Sequence, residues 1–249
     1  MDTNWAEFGG HELELVEVQH LEGGDYWGWI NGMYLAGGDD RLALRFYNGF
    51  DYEPVTRAVW RALCSKAELV CDIGAHSGTF TLDAFKSGAK YVLSAEPHPI
   101  NYARLVLNVR KGGFPVKGIF FGAIGNENGV NIFTAKQMYA CHAAGQLGQG
   151  KGWNYPVAIL RLDTLIPENL WPTLKVLKID AENATTDVLQ GMGRILDLKP
   201  DLIVESTHGG LDEILKPLGY KFWRIWESGI NGGLEEVETL EPYNPDNNY

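Results

Sequence analysis

Cysteine is scarce in this chain: Cys64, Cys71 and Cys141 stand alone, with no Cys-x-x-Cys pair among them. An odd count without metal-type spacing argues against a disulfide framework or a structural zinc site, and Cys64 and Cys71 read as small core residues. Basic residues are in deficit too. Lys and Arg number 21 against 32 Asp and Glu, a formal net charge of -11, and no basic run occurs. Phosphate-backbone binding draws on Lys and Arg, so nucleic acid is not an expected partner. No uninterrupted apolar run reaches membrane-spanning length, and Met1-Asp2-Thr3-Asn4 is no secretory n-region. The expectation is a cytoplasmic protein without membrane association; oligomeric state is not legible.

What is present suits an ordinary globular protein. With 249 residues, 45% of them hydrophobic, the chain can bury one full core with a small addition. Residues 1–52 read as a β-rich N-terminal extension or cap. His11-Glu12-Leu13-Glu14-Leu15-Val16-Glu17-Val18 alternates like a half-buried strand, Asn31-Gly32 between aromatic residues signals a hairpin, and residues 41–46 alternate again. From residue 53 onward a second pattern takes over. A helix over 53–62 leads to strands at 68–72, 91–96, 117–122, 130–134, 176–180 and 201–205, the first and last of them buried, with order resuming at 157–162 before the strand at 176–180. Helices are expected over 76–87, 101–111, 185–196 and 212–218, with Gly88, Gly112 and Gly219 as stops. Strand–helix alternation with short turns implies a mostly parallel sheet covered on both faces. Two last strands, 220–226 and 234–240, form a hairpin. Residues 135–155, rich in glycine and without apolar period, read as a long loop, either a lid or an insertion.

In an open parallel sheet, ligands sit beyond the carboxyl ends of the strands. Those ends are Asp72, Glu96, Gly122, Asp180 and Glu205, and all but Gly122 are acidic. Glu96 follows Asp72 by one strand–helix–strand unit, where a carboxylate accepts from the ribose hydroxyls of a nucleoside cofactor. A nicotinamide dinucleotide would also need Gly-x-Gly-x-x-Gly for its pyrophosphate. Here Ala75-His76-Ser77 separates Gly74 from Gly78, so that fingerprint is missing. A phosphate-free nucleoside, S-adenosyl-L-methionine, fits better.

Four stretches in one order carry a family resemblance. They are Asp72-Ile73-Gly74-Ala75-His76-Ser77-Gly78, Ala95-Glu96-Pro97-His98-Pro99-Ile100-Asn101, Leu162-Asp163-Thr164-Leu165, and Lys178-Ile179-Asp180-Ala181-Glu182. Together they resemble the FkbM-type S-adenosylmethionine-dependent methyltransferases over about residues 53–208; residues 1–50 fall outside. The resemblance implies a Rossmann-like, seven-stranded methyltransferase sheet, mostly parallel with its last strand antiparallel, over residues 53–249. It further implies a transferase that moves a methyl group from S-adenosyl-L-methionine to a hydroxyl of a small molecule or glycan. The cofactor residues would be Asp72, Gly74, Ala75, His76, Gly78, Glu96, Pro97, Asn101, Gly122, Ala123 and Asp180, with Phe121 as an adenine wall. The chain departs from the pattern at His76, where the family has Asn, at Asn183, where it has Gly, and at Thr185, where an acidic residue is common.

An alcohol nucleophile must lose its proton, so a carboxylate or imidazole within reach is wanted. Asp180 is the first candidate for base or orienter, with Glu182 and His208 behind it and Glu205 nearby; the lesser alternative for Asp180 is a cap for the helix that follows. These groups are compatible with a divalent cation, but the spacing does not require one, and no metal ligand is assigned. His98 reads as positional and Lys178 as a salt-bridge partner. Two rival readings share the fold: a nicotinamide-dependent oxidoreductase, and a catalytically weak binding protein on a methyltransferase scaffold.

Overall fold

The computed structural model describes residues 7–8, 11–12, 27–30, 33–36, 40–136, 145–206, 209–227 and 232–240. Strands β1 (Glu7–Phe8) and β2 (His11–Glu12) pair antiparallel, as do β3 (Trp27–Ile30) and β4 (Met33–Ala36), where Ile30 opposite Met33 bears out the expected hairpin. The rest of the alternating stretch at 13–18 lies outside the described residues. The expected strand at 41–46 is instead helix α1 (Arg41–Tyr47). The Asp40 carboxylate caps it by accepting from the Leu42 amide at 2.9 Å, and Leu42, Ala43 and Phe46 share a helical spacing that a short alternating window imitates.

Helix α2 (Pro54–Cys64) has no capping side chain of its own. The Glu227 carboxylate, far along the chain, accepts from the Val55 and Thr56 amides at 2.9 and 2.7 Å and meets the positive end of the helix. Then come β5 (Leu69–Ile73), α3 (Thr79–Lys86), β6 (Tyr91–Glu96), α4 (Pro99–Lys111) and β7 (Ile119–Phe121). After an arm made of β8 (Ala123–Ile124), β9 (Gly129–Ala135), β10 (Gly145–Leu147) and β11 (Trp153–Leu160), the chain forms α5 (Leu162–Leu165) and β12 (Leu174–Ile179). It continues as α6 (Thr185–Met192), α7 (Arg194–Asp197), β13 (Asp201–Val204), α8 (Leu211–Leu215), β14 (Phe222–Trp226) and β15 (Gly233–Val237). The helix expected over 185–196 is therefore two, broken at Gly193.

The core is a parallel five-stranded sheet in the order β13-β12-β5-β6-β7, with β5 buried along its whole length. Crossing back from β7 past β5 to β12 makes the switch point at the β5/β12 boundary. This α/β architecture was legible, but a seven-stranded sheet is not what the described residues form. Strands β14 and β15 pair antiparallel only with each other. Phe222, Val237 and Leu240 still pack into the core cluster beside β12 and β13. The hairpin thus extends the layer by side-chain packing without joining the backbone ladder.

The stretch at 135–155 is not one long loop. Strand β10 pairs with β9, and β11 runs antiparallel to β9 from Trp153 onward, with residues 137–144 outside the described set. The glycines hide this from a periodicity count, yet Gly145 is required: a Cβ there would lie 2.1 Å from the Phe133 ring.

At the other end, Met33, Leu35, Ala43 and Phe46 share a cluster with Ala75, Leu82, Leu105 and Val109 of the main body. A buried cation reinforces that joint. Arg57, 2% exposed, bonds Asp83 through Nε at 2.7 Å and Nη2 at 3.2 Å, and its Nη1 bonds Asp51. Its guanidinium also lies over the Phe46 ring, 4.9 Å from the centroid.

Candidate active site

A cavity of about 520 Å³ opens beyond the carboxyl ends of β5, β6 and β12, where the switch point predicts a ligand. Of the residues named from sequence, Gly74, Ala75, His76, Glu96, Pro97, Asn101, Gly122, Ala123, Asp180 and Glu182 line it. Asp72 and Gly78 lie behind the wall, and His208 lies outside the described residues. Phe121 does not line the cavity. It is 41% exposed and packs tilted against Tyr102 with ring centroids 4.9 Å apart, while Phe133 from β9 stands in the wall instead.

The loop after β5 is shaped by close approach. Gly74 has φ 80°, and a Cβ there would sit 1.8 Å from the Asp180 carbonyl oxygen, so only glycine lets the two strand ends meet. His76 has φ 51°, also left-handed. Asn, Asp and His are the non-glycine residues enriched there, which accounts for His standing where the family has Asn. The His76 Nδ1 lies 3.1 Å from Ser77 Oγ. Burial, opposed by Asp40 and Asp180, lowers its pKa and favours the neutral ring.

Glu96, 5% exposed, accepts from the His76 amide at 2.8 Å through Oε2 and from the His98 amide at 2.7 Å through Oε1. Burial pushes its pKa up to about 7 despite those bonds. His98 is the cap of α4, its Nδ1 accepting from the Asn101 amide at 3.4 Å, so its expected positional role holds. Thr79, at the start of α3, lines the cavity with a buried hydroxyl that has no hydrogen-bond partner among the described residues.

Beneath the floor runs a polar row fixed by register: Lys178 of β12 lies beside Asp72 of β5, which lies beside Ser94 of β6. Thr81 Oγ1 donates to Asp72 Oδ2 at 2.7 Å and lies 2.8 Å from Ser94 Oγ, leaving Asp72 Oδ1 without a hydrogen bond among the described residues. Lys178 Nζ donates to Asp180 Oδ2 at 2.7 Å and lies 4.4 Å from the Phe80 centroid. Burial would lower the Lys178 pKa, but Asp180, Glu53 and Asp72 hold it well above the usual ammonium range. Burial likewise works against Asp180, yet Lys178 keeps that carboxyl below its ordinary value.

Glu205 follows the strand paired with β12, and partial desolvation and then Asp180 push it up to about 8. Its side chain still reaches solvent, which leaves that shift little weight in stability. Glu182, held at φ 53°, is raised by burial and then by Asp180. Thr185, the other departure near this end, donates to the Glu205 carbonyl at 3.2 Å and ties α6 to β13. Asn183, the remaining departure, faces the cavity.

The wall also holds residues that sequence reasoning missed: Leu42, Arg45, Tyr52, Phe80, Phe133 and Gln146. The first two come from the helix misread as a strand, and Gln146 from the stretch read as a loop. Among the described residues no group of three or more His, Cys, Asp or Glu side chains could hold a metal ion, and no helix is long and apolar enough to cross a membrane.

The family model described as "Methyltransferase FkbM domain" matches residues 72–222, more than half of the chain. No curated protein matches it. Among solved structures, precorrin 8w decarboxylase of Methanobacterium thermoautotrophicum aligns at 15% identity over 73% of this chain and 83% of that one. Its TM-score is 0.36, too low to carry an argument.

Proposed function

The chain belongs to the FkbM methyltransferase family, and from that premise we propose that it transfers a methyl group from S-adenosyl-L-methionine to a hydroxyl of a small molecule or glycan. The observation that carries the reading is Glu96. A buried carboxylate gripped by two backbone amides at the second strand end, with lone pairs left over, suits a ribose diol. The unpartnered Thr79 hydroxyl and the close approach at Gly74 fit a compact polar ligand in the same place. The family match favours this over the oxidoreductase reading.

When bound, S-adenosyl-L-methionine would supply the electrophilic methyl group; the rest falls to the chain. Glu96, Asn101 and the 74–78 loop would hold and orient the nucleoside and its amino-acid end. Apolar residues of the wall, Ile73, Ala95, Ile124 and Phe133, would shield it from water. Asp180 and Glu182 would orient the acceptor hydroxyl and accept its proton, near-attack positioning being the main source of rate in such a displacement. Lys178 keeps Asp180 ionised and fixed. Asp72, behind the wall, would act through Lys178 and Thr81.

Calorimetric titration tests this. S-adenosylhomocysteine is expected to bind the wild-type chain, with Glu96→Ala weakening it at least about tenfold by removing a charged acceptor. Tight NADH binding with no heat from S-adenosylhomocysteine would overturn the assignment.

A further inference from the structure

The family match begins at residue 72, yet Leu42, Arg45 and Tyr52 stand in the wall of the cavity. They are held there firmly. Arg57, buried between Asp83 and Asp51, pins the end of this segment to α3, and the Asp51 carboxylate also accepts from the Tyr52 amide at 2.8 Å. The Arg45 guanidinium lies over the Tyr52 ring, 5.9 Å from its centroid.

We propose that residues 42–52 form the acceptor-recognition wall of this site, with Arg45 receiving an acidic group of the methyl acceptor, carboxylate or phosphate. The proposal rests on the methyltransferase reading and adds the acceptor's chemistry to it. Leu42 and the Tyr52 ring offer an apolar face for the acceptor's body. Charge decides the rest. Lys178, the cation at the deep end, is taken by Asp180 and flanked by Glu53 and Asp72. Arg45 gives one N–H to the Asp51 carbonyl at a long 3.4 Å, and among the described residues no carboxylate pairs with it. Of the two Lys or Arg side chains that line the cavity, it is the one open to a ligand. The guanidinium fork matches a carboxylate or phosphate with two parallel hydrogen bonds, a geometry that a lysine would not offer.

Saturation-transfer NMR on the full chain, with and without S-adenosylhomocysteine, tests the wall with small probes. Benzoate should contact the protein, benzamide should bind at least about tenfold more weakly, and Arg45→Gln should remove that preference while Arg45→Lys keeps part of it. Arg45 is exposed, so the Gln variant should melt with the wild type. Displacement of benzoate by inorganic phosphate would assign a phosphate-bearing acceptor; failure of phosphate to displace it would assign a carboxylate. Equal binding of benzoate and benzamide, no benzoate contact, or a preference that survives Arg45→Gln would overturn the proposal. Because benzoate is also read without S-adenosylhomocysteine, failure of the methyl-donor reading and failure of the Arg45 wall remain distinguishable.

Discussion

Replacing Lys178 by methionine keeps the length of the side chain and removes its charge. The cation lost is 5% exposed, sits 2.7 Å from Asp180 Oδ2, and is the shared counter-charge of Asp180, Glu53 and Asp72. Removing one partner of a buried pair typically costs 3–5 kcal/mol because the remaining charge is stranded. The Asp180 side chain is 32% exposed, so water screens part of that loss and the low end applies. We expect Lys178→Met to lose about 3 kcal/mol in urea unfolding at pH 8, or roughly 6–12 °C in melting temperature for a chain of this size.

The pH dependence identifies the cause. In the wild type Asp180 is held below its ordinary 3.8, so its contribution is present above that value and is lost as pH falls through the folded one. In the variant the Asp180 carboxyl rises instead and that of Asp72, which burial already holds above its ordinary value, rises further, so a penalty grows as pH climbs through their new values. The gap between the two proteins should therefore widen from pH 4 to pH 8 and close only as pH falls through the folded value of Asp180. Adding Asp180→Asn should recover at least about 1 kcal/mol, the signature of direct coupling. A loss under about 1 kcal/mol, or one of the same size at both pH values, would refute the claim that Lys178 neutralises this row.

Glu96 gives a trend of the opposite sign. Its pKa rises from an ordinary 4.5 to about 7, so the ligand-free protein should lose about 3 kcal/mol as pH rises through that window, and Glu96→Gln should lack this slope in urea unfolding at pH 5 and 8. A Gln variant with the wild-type slope would place the titrating group elsewhere. At position 76 the left-handed backbone is the constraint: His76→Asn should change stability by no more than about 0.5 kcal/mol, while His76→Val, β-branched at φ 51°, should cost about 1–3 kcal/mol in thermal unfolding. Equal stability of the Asn and Val variants would remove the conformational explanation.

The parallel sheet and the cofactor end of the cavity were legible because their signals are local. A buried strand followed by a glycine turn at 69–78, and acidic residues at successive strand ends, name their positions without knowledge of the rest. The other half was hidden for physical reasons. Asp40 starts a helix through one hydrogen bond to Leu42, and six residues of apolar alternation look the same until that cap is seen. Strand β10 is only three residues long, and its glycine is required by the Phe133 ring across from it, a fact of packing rather than of pattern. The Glu227 cap on α2 joins positions 172 residues apart, which no window detects. His76 became intelligible only once its φ was known.

The same polar groups that make the site usable make the free protein less stable than an apolar floor would. Asp72 Oδ1 and Thr79 Oγ1 are buried without hydrogen bonds among the described residues, and Glu96 carries a carboxyl that burial drives toward protonation. Each costs free energy in the folded state, and a ligand that supplied the missing partners would return part of it. The three differ in one respect. Glu96 and Thr79 face the cavity, whereas Asp72 lies behind the wall and can be relieved only through Lys178 or Thr81. Ligand binding should therefore stabilise the protein through Glu96 and Thr79 and leave the Asp72 cost in place. A sheet of strands buried on both faces tolerates that standing cost because Lys178 spreads its charge over three carboxylates at once. Stability and recognition meet in that row, so a substitution there should move both, whereas one at Arg45, on the rim, should move recognition alone.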